Sequence, residues 1–348
     1  MSERIRVIIV LLWCQTSLEL FAQTQVMVDV SDQAQRIHRS TFVFDGHNDL
    51  PYTLRKEASS SFTKMDIAKD QPSIHTDIPR LRKGNVGAQY WSVYVPASTA
   101  YRGEALSQTL EQIEIVHAMM KKYPETFALT KTYQEIIKAR KQGKIASLIG
   151  VEGGHSIEDS MANLHRLFKL GARYMTLTHS DTLAWADSAT DDSRHQGLNE
   201  FGVAVVQEMN SLGMIVDLSH VSEATMHDAL DISEAPIMFS HSSARSVADH
   251  VRNVPDAVLK RMADNGGIVM VNFFSGFVST FAAAPLGAYM KKTDSLNLTK
   301  QDIAGGKIAS VSGTIVLRSI MGPVMDVFGA PARACSCSWR SALPASSG

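Results

Sequence analysis

The sequence has few cysteines, no excess of charge of either sign and no long hydrophobic run. Its 348 residues include 3 cysteines, 34 basic and 35 acidic residues, for a formal net charge of -1. Without clusters of basic residues, nucleic acid is not an expected partner, because phosphate binding needs a concentrated Lys/Arg surface. No uninterrupted apolar stretch of about 18 residues occurs, so no transmembrane span is predicted. A content of 45% hydrophobic and 20% charged residues is typical of a globular protein with a sizeable core.

The three cysteines are Cys14, Cys335 and Cys337. One residue separates the last two, which disfavours a mutual disulfide, and two thiols cannot complete a structural zinc site. Neither a disulfide scaffold nor a cysteine-based zinc site is therefore expected.

The first 22 residues have the pattern of a secretory signal peptide. Two arginines precede an apolar run over residues 7–14, and a mixed segment follows to Ala22. This predicts an exported protein, periplasmic or extracellular, that can also be membrane-associated. The alternative interpretation is a buried first helix.

Seven apolar, strand-like runs alternate with longer amphipathic segments. The runs cover residues 41–47, 86–95, 146–154, 173–180, 214–220, 235–241 and 266–274. Helical patterns lie between them, for example over residues 104–123 and 198–213. This alternation, with continuously apolar strands, predicts βα units and a parallel sheet covered on both faces. The expected fold is α/β, a (β/α)8 TIM-barrel-like domain.

Polar residues of metal-ligand type end five of these runs. They are His47 and Asp49, Glu152, His179, His220 and His241. The carboxyl ends of all strands of a (β/α)8 barrel open onto one face, so these residues are expected to converge there. Imidazoles and carboxylates without cysteine favour zinc or a similar ion in a catalytic site.

The spacing suggests how the ions are held. In an extended strand end, residues two apart point the same way, so His47 and Asp49 are expected to face the barrel mouth while Asn48 turns aside. A carboxylate such as Glu152, lying between histidine-bearing sides, could bridge two metals about 3.5 to 4 Å apart. Such a centre predicts hydrolytic chemistry.

Several stretches make the chain resemble the membrane dipeptidase (renal dipeptidase) family of zinc peptidases. They are "FDGHNDLP", "SLIGVEGGHSIED", "GARYMTLTHSDTLAWADS", "LGMIVDLSHVS", "FSHSSARSV" and "RNVPDAVLKRMADNGGIVMVNFF", in family order over residues 41 to 274. The resemblance implies hydrolysis of small dipeptides with two zinc ions per chain, and a homodimer is common in the family.

The resemblance also implies residue roles. His47 and Asp49 would ligate one zinc, His220 and His241 the other, and Glu152 would bridge them. His179 would stabilise the oxyanion of the tetrahedral intermediate, and Arg252 would bind the terminal carboxylate of the substrate. Both roles suit the groups concerned.

The other histidines near these motifs are expected to be surface or structural residues. His155, His165, His195 and His250 match no ligand position. Asp181, Trp185 and Asp187 follow the fourth run and are expected to support the site without binding the metals.

The sequence departs from the family pattern after about residue 300. Family members continue to an eighth strand ending in a G-x-D-F-D-G-like motif, whose first aspartate handles the proton of the attacking water. No such motif occurs here, and residues 303–348 contain one acidic residue, Asp326. We therefore predict a signal peptide over residues 1–22, a barrel domain over 23–302 and an aberrant, out-of-frame segment over 303–348, with the eighth strand missing or altered.

Two functional alternatives follow. The first is a catalytically inactive remnant of a dipeptidase that binds metal or peptide without turnover. The second is another amidohydrolase-like barrel, such as a relative of deaminases or phosphotriesterases. A lysine-based metal bridge is usual in that group, and the glutamate in "GVEGGHS" argues against it.

Overall fold

The computed structural model of the protein describes residues 30–279. Residues 38–279 belong to one compact unit, whereas residues 30–37 belong to a second unit and include the start of helix α1 (Asp32–Ser40). The predicted signal peptide, the segment 303–348 and its residues Asp326, Cys335 and Cys337 lie outside the described residues. Those predictions, and the domain boundaries, therefore stay predictions.

Eight parallel strands form one sheet that curls into a nearly closed barrel. They are β1 (Val43–Asp45), β2 (Val86–Ser92), β3 (Phe127–Leu129), β4 (Ile145–Glu152), β5 (Ala172–Thr176), β6 (Ile215–Asp217), β7 (Met238–Ser242) and β8 (Ile268–Val271). The order is β1-β2-β4-β5-β6-β7-β8, and β3 pairs with the first half of β4. The predicted TIM-barrel-like α/β fold is confirmed. The eighth strand that the resemblance implies, beyond residue 300, lies outside the described residues.

All strands but β3 were predicted, at the seven apolar runs. β3 has only three residues, and the residues just before and after it in the sequence include too few apolar ones for a strand pattern. It lies beside β4 because β5 pairs only with the end of that strand, from Ile149 onward.

Helices connect successive strands and cover the outside of the barrel. They are α2 (Leu50–Ala58), α3 (Ile78–Lys83), α4 (Ala105–Lys122), α5 (Tyr133–Lys141), α6 (Met161–Leu170), α7 (Glu200–Leu212), α8 (Glu223–Ile232), α9 (Asp256–Asn265) and α10 (Ser275–Val278). The predicted helices over 104–123 and 198–213 correspond to α4 and α7. Helix α7 begins because the Asn199 side chain accepts the Phe201 and Gly202 N–H groups, and it ends at Gly213, whose φ is 73°. None of the described helices is long and apolar enough to cross a membrane.

Successive strand residues alternate between two apolar clusters. Tyr90, Leu148, Tyr174 and Met238 form a small cluster, while the residues that follow them in sequence, Trp91, Ile149, Met175 and Phe239, belong to the large one. Side chains of a strand alternate between its two faces, so the small cluster fills the barrel and the large one packs against the helices. This explains why the strand sequences are apolar without alternation.

Candidate metal centre

His47 and Asp49 reach the site from a turn rather than from a strand. Strand β1 ends at Asp45, and Asp49 precedes the first residue of α2. The Asp45 carboxylate accepts the His47 N–H and shapes the turn. The expected strand-like alternation was wrong because the chain leaves the sheet two residues before His47. The two side chains nevertheless converge, with His47 Nε2 3.3 Å from Asp49 Oδ1.

Glu152 lies at the centre of the polar cluster. It is the last residue of β4, only 4% exposed, and its Oε2 accepts the Ser92 hydroxyl at 3.0 Å. Oε2 lies 3.4 Å from His47 Nε2, and Oε1 lies 3.2 Å from His220 Nε2 and 3.4 Å from His241 Nε2. One carboxylate therefore faces a histidine with each of its two oxygens, as a bridging ligand does.

His220 and His241 come from neighbouring strands. His241 lies within β7, whereas His220 follows β6 by three residues and has a left-handed backbone, with φ of 73°. A histidine rarely adopts this conformation, and such strain is typical of functional sites. Their Nε2 atoms lie 2.9 Å apart. Two imidazole nitrogens that point at the same small volume are arranged as they would be around a bound cation.

Burial and neighbouring charges set the protonation of the cluster. Burial lowers the pKa of His220 and of His241 well below the ordinary value, so both rings are neutral and able to bind a metal. Burial alone would raise the pKa of Glu152, but His47 and His220 together hold it well below the ordinary value. For His47 burial acts to lower the pKa, and the Glu152 and Asp49 carboxylates together raise it well above the ordinary value.

Two sets of side chains satisfy the spacing of metal ligands. One is His47, Glu152 and His241, and the other is Glu152, His179 and His220; within each set the ligand atoms lie within 4.8 Å of one another. Asp49 is not in either set, but its buried Oδ1 receives no hydrogen bond from the described residues. Imidazole nitrogens and carboxylate oxygens without sulfur suit a catalytic zinc or a similar divalent ion. The residues present therefore fit a metal.

His179 lies against this cluster on a different element. It follows β5 by three residues, and its ring stacks on His220 with 4.1 Å between the centroids. Its Nε2 is 3.7 Å from Glu152 Oε1, and its Nδ1 is 3.2 Å from the Ser180 hydroxyl. Burial lowers the pKa of His179, so the ring is neutral.

Arg252 lies at the same cavity as the cluster. It is 3% exposed, and neither Nη1 nor Nη2 has a hydrogen-bond partner among the described residues. Burial lowers its pKa to about 10. A buried guanidinium without an acceptor is costly, so its position indicates an acceptor beyond the described residues.

A cavity of about 350 Å³ brings all seven predicted site residues together. The sequence interpretation missed six further lining residues, namely Asn48, Tyr52, Thr53, Tyr94, Asn272 and Phe277. Tyr94 contacts the His179 ring with 4.7 Å between centroids, and the Phe277 ring lies 5.3 Å from Arg252 Cζ. Asn48 within "GHND" and Tyr94 at the end of the second apolar run lie beside predicted positions; the others carry no local signal.

The histidines expected to be structural lie outside this cavity. His155 Nε2 bonds to the Val95 carbonyl, His165 pairs with Glu208, His195 Nε2 bonds to the Leu183 carbonyl, and the His250 ring packs on Phe277.

The three other expected supporting residues also lie outside the cavity. Asp187 is fully buried and accepts the N–H groups of Arg194, His195 and Gly197, which fixes the loop after β5. Trp185 is buried and Asp181 accepts the Tyr101 hydroxyl.

Comparisons with known proteins give the family and the fold of the chain. The model of the family "Membrane dipeptidase (Peptidase family M19)" matches residues 31–315. A metallopeptidase from Rhodobacter sphaeroides, solved with a phosphinate mimic of the dipeptide L-Ala-D-Ala, is 24% identical, with a TM-score of 0.62 over 69% of this chain and 76% of its own.

Two further solved structures share the fold. A family M19 metallopeptidase named dipeptidase AC is 25% identical, with a TM-score of 0.62 over 69% of this chain and 74% of its own. The probable dipeptidase PvdM from Pseudomonas aeruginosa is 21% identical, with a TM-score of 0.66 over 85% and 77%. Since the family match spans most of the sequence, the chain belongs to the membrane dipeptidase family, peptidase family M19.

Proposed function

We propose that the protein hydrolyses small dipeptides with two zinc ions held at the barrel mouth. One observation supports this most strongly. The same cavity holds a cluster of histidines around Glu152 and the buried guanidinium of Arg252, whose Nη atoms have no acceptor within residues 30–279. Metal-binding side chains and a carboxylate-binding guanidinium in one small cavity suit a substrate with a carboxylate next to the bond that is cleaved.

In this proposal His47 and Asp49 hold one zinc ion, His220 and His241 hold the other, and Glu152 bridges them. Its two oxygens already face different histidines, at 3.4 Å from His47 Nε2 and 3.2 Å from His220 Nε2. When bound, the ions supply a hydroxide at neutral pH and polarise the peptide carbonyl.

Arg252 selects for a free carboxyl terminus. A planar guanidinium binds a carboxylate through two parallel hydrogen bonds, and no residue in the described part of the chain hydrogen-bonds to either Nη atom. A cavity of about 350 Å³ limits the substrate to a small molecule. A dipeptide satisfies both requirements.

His179 stabilises the oxyanion that forms on the peptide carbonyl. Its ring is neutral because burial lowers its pKa. The Ser180 hydroxyl lies 3.2 Å from His179 Nδ1 and donates to Asp181 Oδ1 at 3.0 Å. When it turns its proton from Asp181 to the ring, the proton of His179 lies on Nε2 and is available to the oxyanion.

The alternative function is a remnant that binds metal and peptide without turnover. It is favoured by the absence of the G-x-D-F-D-G-like motif from the sequence. Under this alternative the ligand cluster assembles, but no group takes the proton of the attacking water.

Hydrolysis of a dipeptide panel distinguishes the two. The panel includes Gly-D-Ala and L-Ala-D-Ala, and the protein from Gln23 onward is reconstituted with zinc beside Glu152→Gln. Turnover that Glu152→Gln abolishes supports the dipeptidase. Binding of about two zinc ions without turnover supports the remnant, and no zinc binding contradicts both.

We also propose that the protein is exported, on the pattern of residues 1–22. Expression of the full chain followed by fractionation of the cells, with mass determination of the product, tests this. A product that keeps residues 1–22 and stays in the cytoplasm contradicts it.

A further inference from the structure

A buried carboxylate lies inside the barrel beneath the metal centre. Asp217, the last residue of β6, is fully buried. Its Oδ1 accepts the Ser219 and Ser240 N–H groups at 3.1 and 2.8 Å, and its Oδ2 accepts the hydroxyls of Thr176 and Ser240 at 2.5 and 2.6 Å. Each carboxyl oxygen of Asp217 therefore accepts two hydrogen bonds, all from neutral donors.

Ser240 connects this carboxylate to His241. Its hydroxyl has one proton, and the 2.6 Å contact with Asp217 takes it in preference to the 3.4 Å contact with Ser219 Oγ. The Ser240 oxygen therefore accepts from His241 Nδ1, 2.8 Å away. A proton on Nδ1 leaves a lone pair on Nε2, the atom that faces Glu152 and His220.

His47 has an outer partner of a different kind. Its Nδ1 lies 3.1 Å from the Tyr174 hydroxyl, which in turn donates to the Gly46 carbonyl at 3.3 Å. The same logic directs Nε2 of His47 toward the centre, but the chain of hydrogen bonds ends on a neutral carbonyl. The hydroxyl next to His241 therefore donates to a carboxylate, whereas the hydroxyl next to His47 donates to a carbonyl.

We propose that Asp217, acting through Ser240, is a positioning residue that fixes the metal-binding tautomer of His241 and strengthens the metal position of His220 and His241 selectively. The inference rests on the proposed function, because it needs two metal positions. Hydrogen bonds to the outer nitrogen of a histidine ligand typically change metal affinity about 10- to 100-fold.

Asp217→Asn tests the polarity of this hydrogen-bond chain. The asparagine oxygen can keep both backbone N–H bonds, while its NH2 group replaces Oδ2 and donates to Ser240. The Ser240 proton must then turn to His241 Nδ1, which moves the histidine proton to Nε2 and blocks ligation. Ser240→Ala only removes the connection, so its effect is expected to be smaller.

Each variant is prepared as the full chain without metal, and its zinc affinity is measured by competition with a chromophoric chelator. We expect Asp217→Asn to weaken one of two sites about 100-fold and Ser240→Ala about 10-fold. The double variant should return to the affinity of Ser240→Ala alone, because without the Ser240 hydroxyl no donor points at Nδ1 and the histidine proton is no longer driven to Nε2. A general loss of packing cannot produce such a recovery.

Thr176→Val is the matched control. It removes a donor from the same carboxylate oxygen but has no contact with His241, so both affinities should be unchanged. Equal weakening by Thr176→Val and Ser240→Ala would overturn the proposal in favour of packing, and so would unchanged affinity in Ser240→Ala. If Asp217→Asn does not fold, the comparison of Thr176→Val with Ser240→Ala tests the proposal. If the wild type binds two zinc ions and neither variant changes their affinity, only the positioning role is overturned. If the wild type binds no zinc, the proposed function is overturned as well.

Discussion

Replacing Arg252 by methionine should change stability and substrate binding in opposite directions. Burial lowers the pKa of Arg252 from 12.5 to about 10. At 1.36 kcal/mol for each pKa unit, the folded state keeps this guanidinium charged at a cost of about 3 kcal/mol. An apolar side chain of similar length avoids that cost, so zinc-free Arg252→Met should be about 1 to 3 kcal/mol more stable than the wild type.

The same change should weaken recognition of the substrate carboxylate. Loss of one partner of a buried, hydrogen-bonded charge pair costs about 2 to 5 kcal/mol. This corresponds to a fall in kcat/KM of about 30-fold to several thousand-fold. A dipeptide whose carboxyl terminus is amidated should lose little between wild type and variant, because it offers no carboxylate.

Two assays check these opposite effects. Urea unfolding of the zinc-free proteins gives the stability, and kcat/KM for a dipeptide and its amide gives the recognition. Affinity for a phosphinate dipeptide mimic gives the same comparison in a chain without turnover. Arg80→Met is the control for stability, because Arg80 pairs with the fully buried Asp77 and its loss should destabilise the fold by about 3 to 5 kcal/mol.

The reasoning would be refuted if Arg252→Met destabilised the zinc-free protein by more than about 1 kcal/mol. The guanidinium would then be part of the fold. Equal losses on the dipeptide and its amide would show that Arg252 does not bind the carboxylate.

Three further outcomes are expected. Gly150→Ala should destabilise the protein by about 1 to 3 kcal/mol in urea unfolding, because its Cβ would lie 2.0 Å from the buried Tyr174 ring. Burial acts to raise the pKa of Asp77, but the hydrogen bonds from Arg80 and the Gln71 N–H hold that pKa below 3.8. The stabilising contribution of Asp77 is therefore present above about pH 4 and is lost as the pH falls further. Asp77→Asn should reduce the loss of stability on acidification. Zinc at 100 times its Kd should stabilise the chain by about 2.7 kcal/mol per site in the same assay, an increment that Glu152→Gln should reduce.

Sequence patterns were sufficient for seven of the strands that build the barrel and for the polar residues that line the cavity at its mouth. Continuous apolar runs identify buried parallel strands, and polar residues at their ends identify the functional face. His179, His220 and Arg252 all lie at the cavity as expected. The turn that carries His47 and Asp49 was not predictable, because an apolar run does not show at which residue the chain leaves the sheet.

The outer partners of the histidines could not be predicted, because they depend on register between strands. Asp217 pairs with Thr176 of β5 across the sheet, and it reaches Ser240 of β7 from the other side. Ser240 adjoins His241 in the sequence and Asp217 lies three residues before His220, but adjacency alone does not show that they meet. The side chains converge only because parallel strands place them at one height in the barrel.

A two-residue step along each strand changes the barrel interior from apolar to polar. The apolar residues are Tyr90, Leu148, Tyr174, Ile215 and Met238, and the polar residues above them are Ser92, Glu152, Thr176, Asp217 and Ser240, with Gly150 intervening in β4. Tyr174 spans both layers, since its ring packs on Tyr90 while its hydroxyl bonds to His47. The change from apolar to polar inside the barrel is not visible in the sequence, because the residues in between, on the opposite face of each strand, are apolar. The apolar layer excludes water from below, so the polar layer must satisfy its hydrogen bonds internally, and those bonds orient the ligands. The polarity needed to hold a metal is thus part of the packing of the barrel itself.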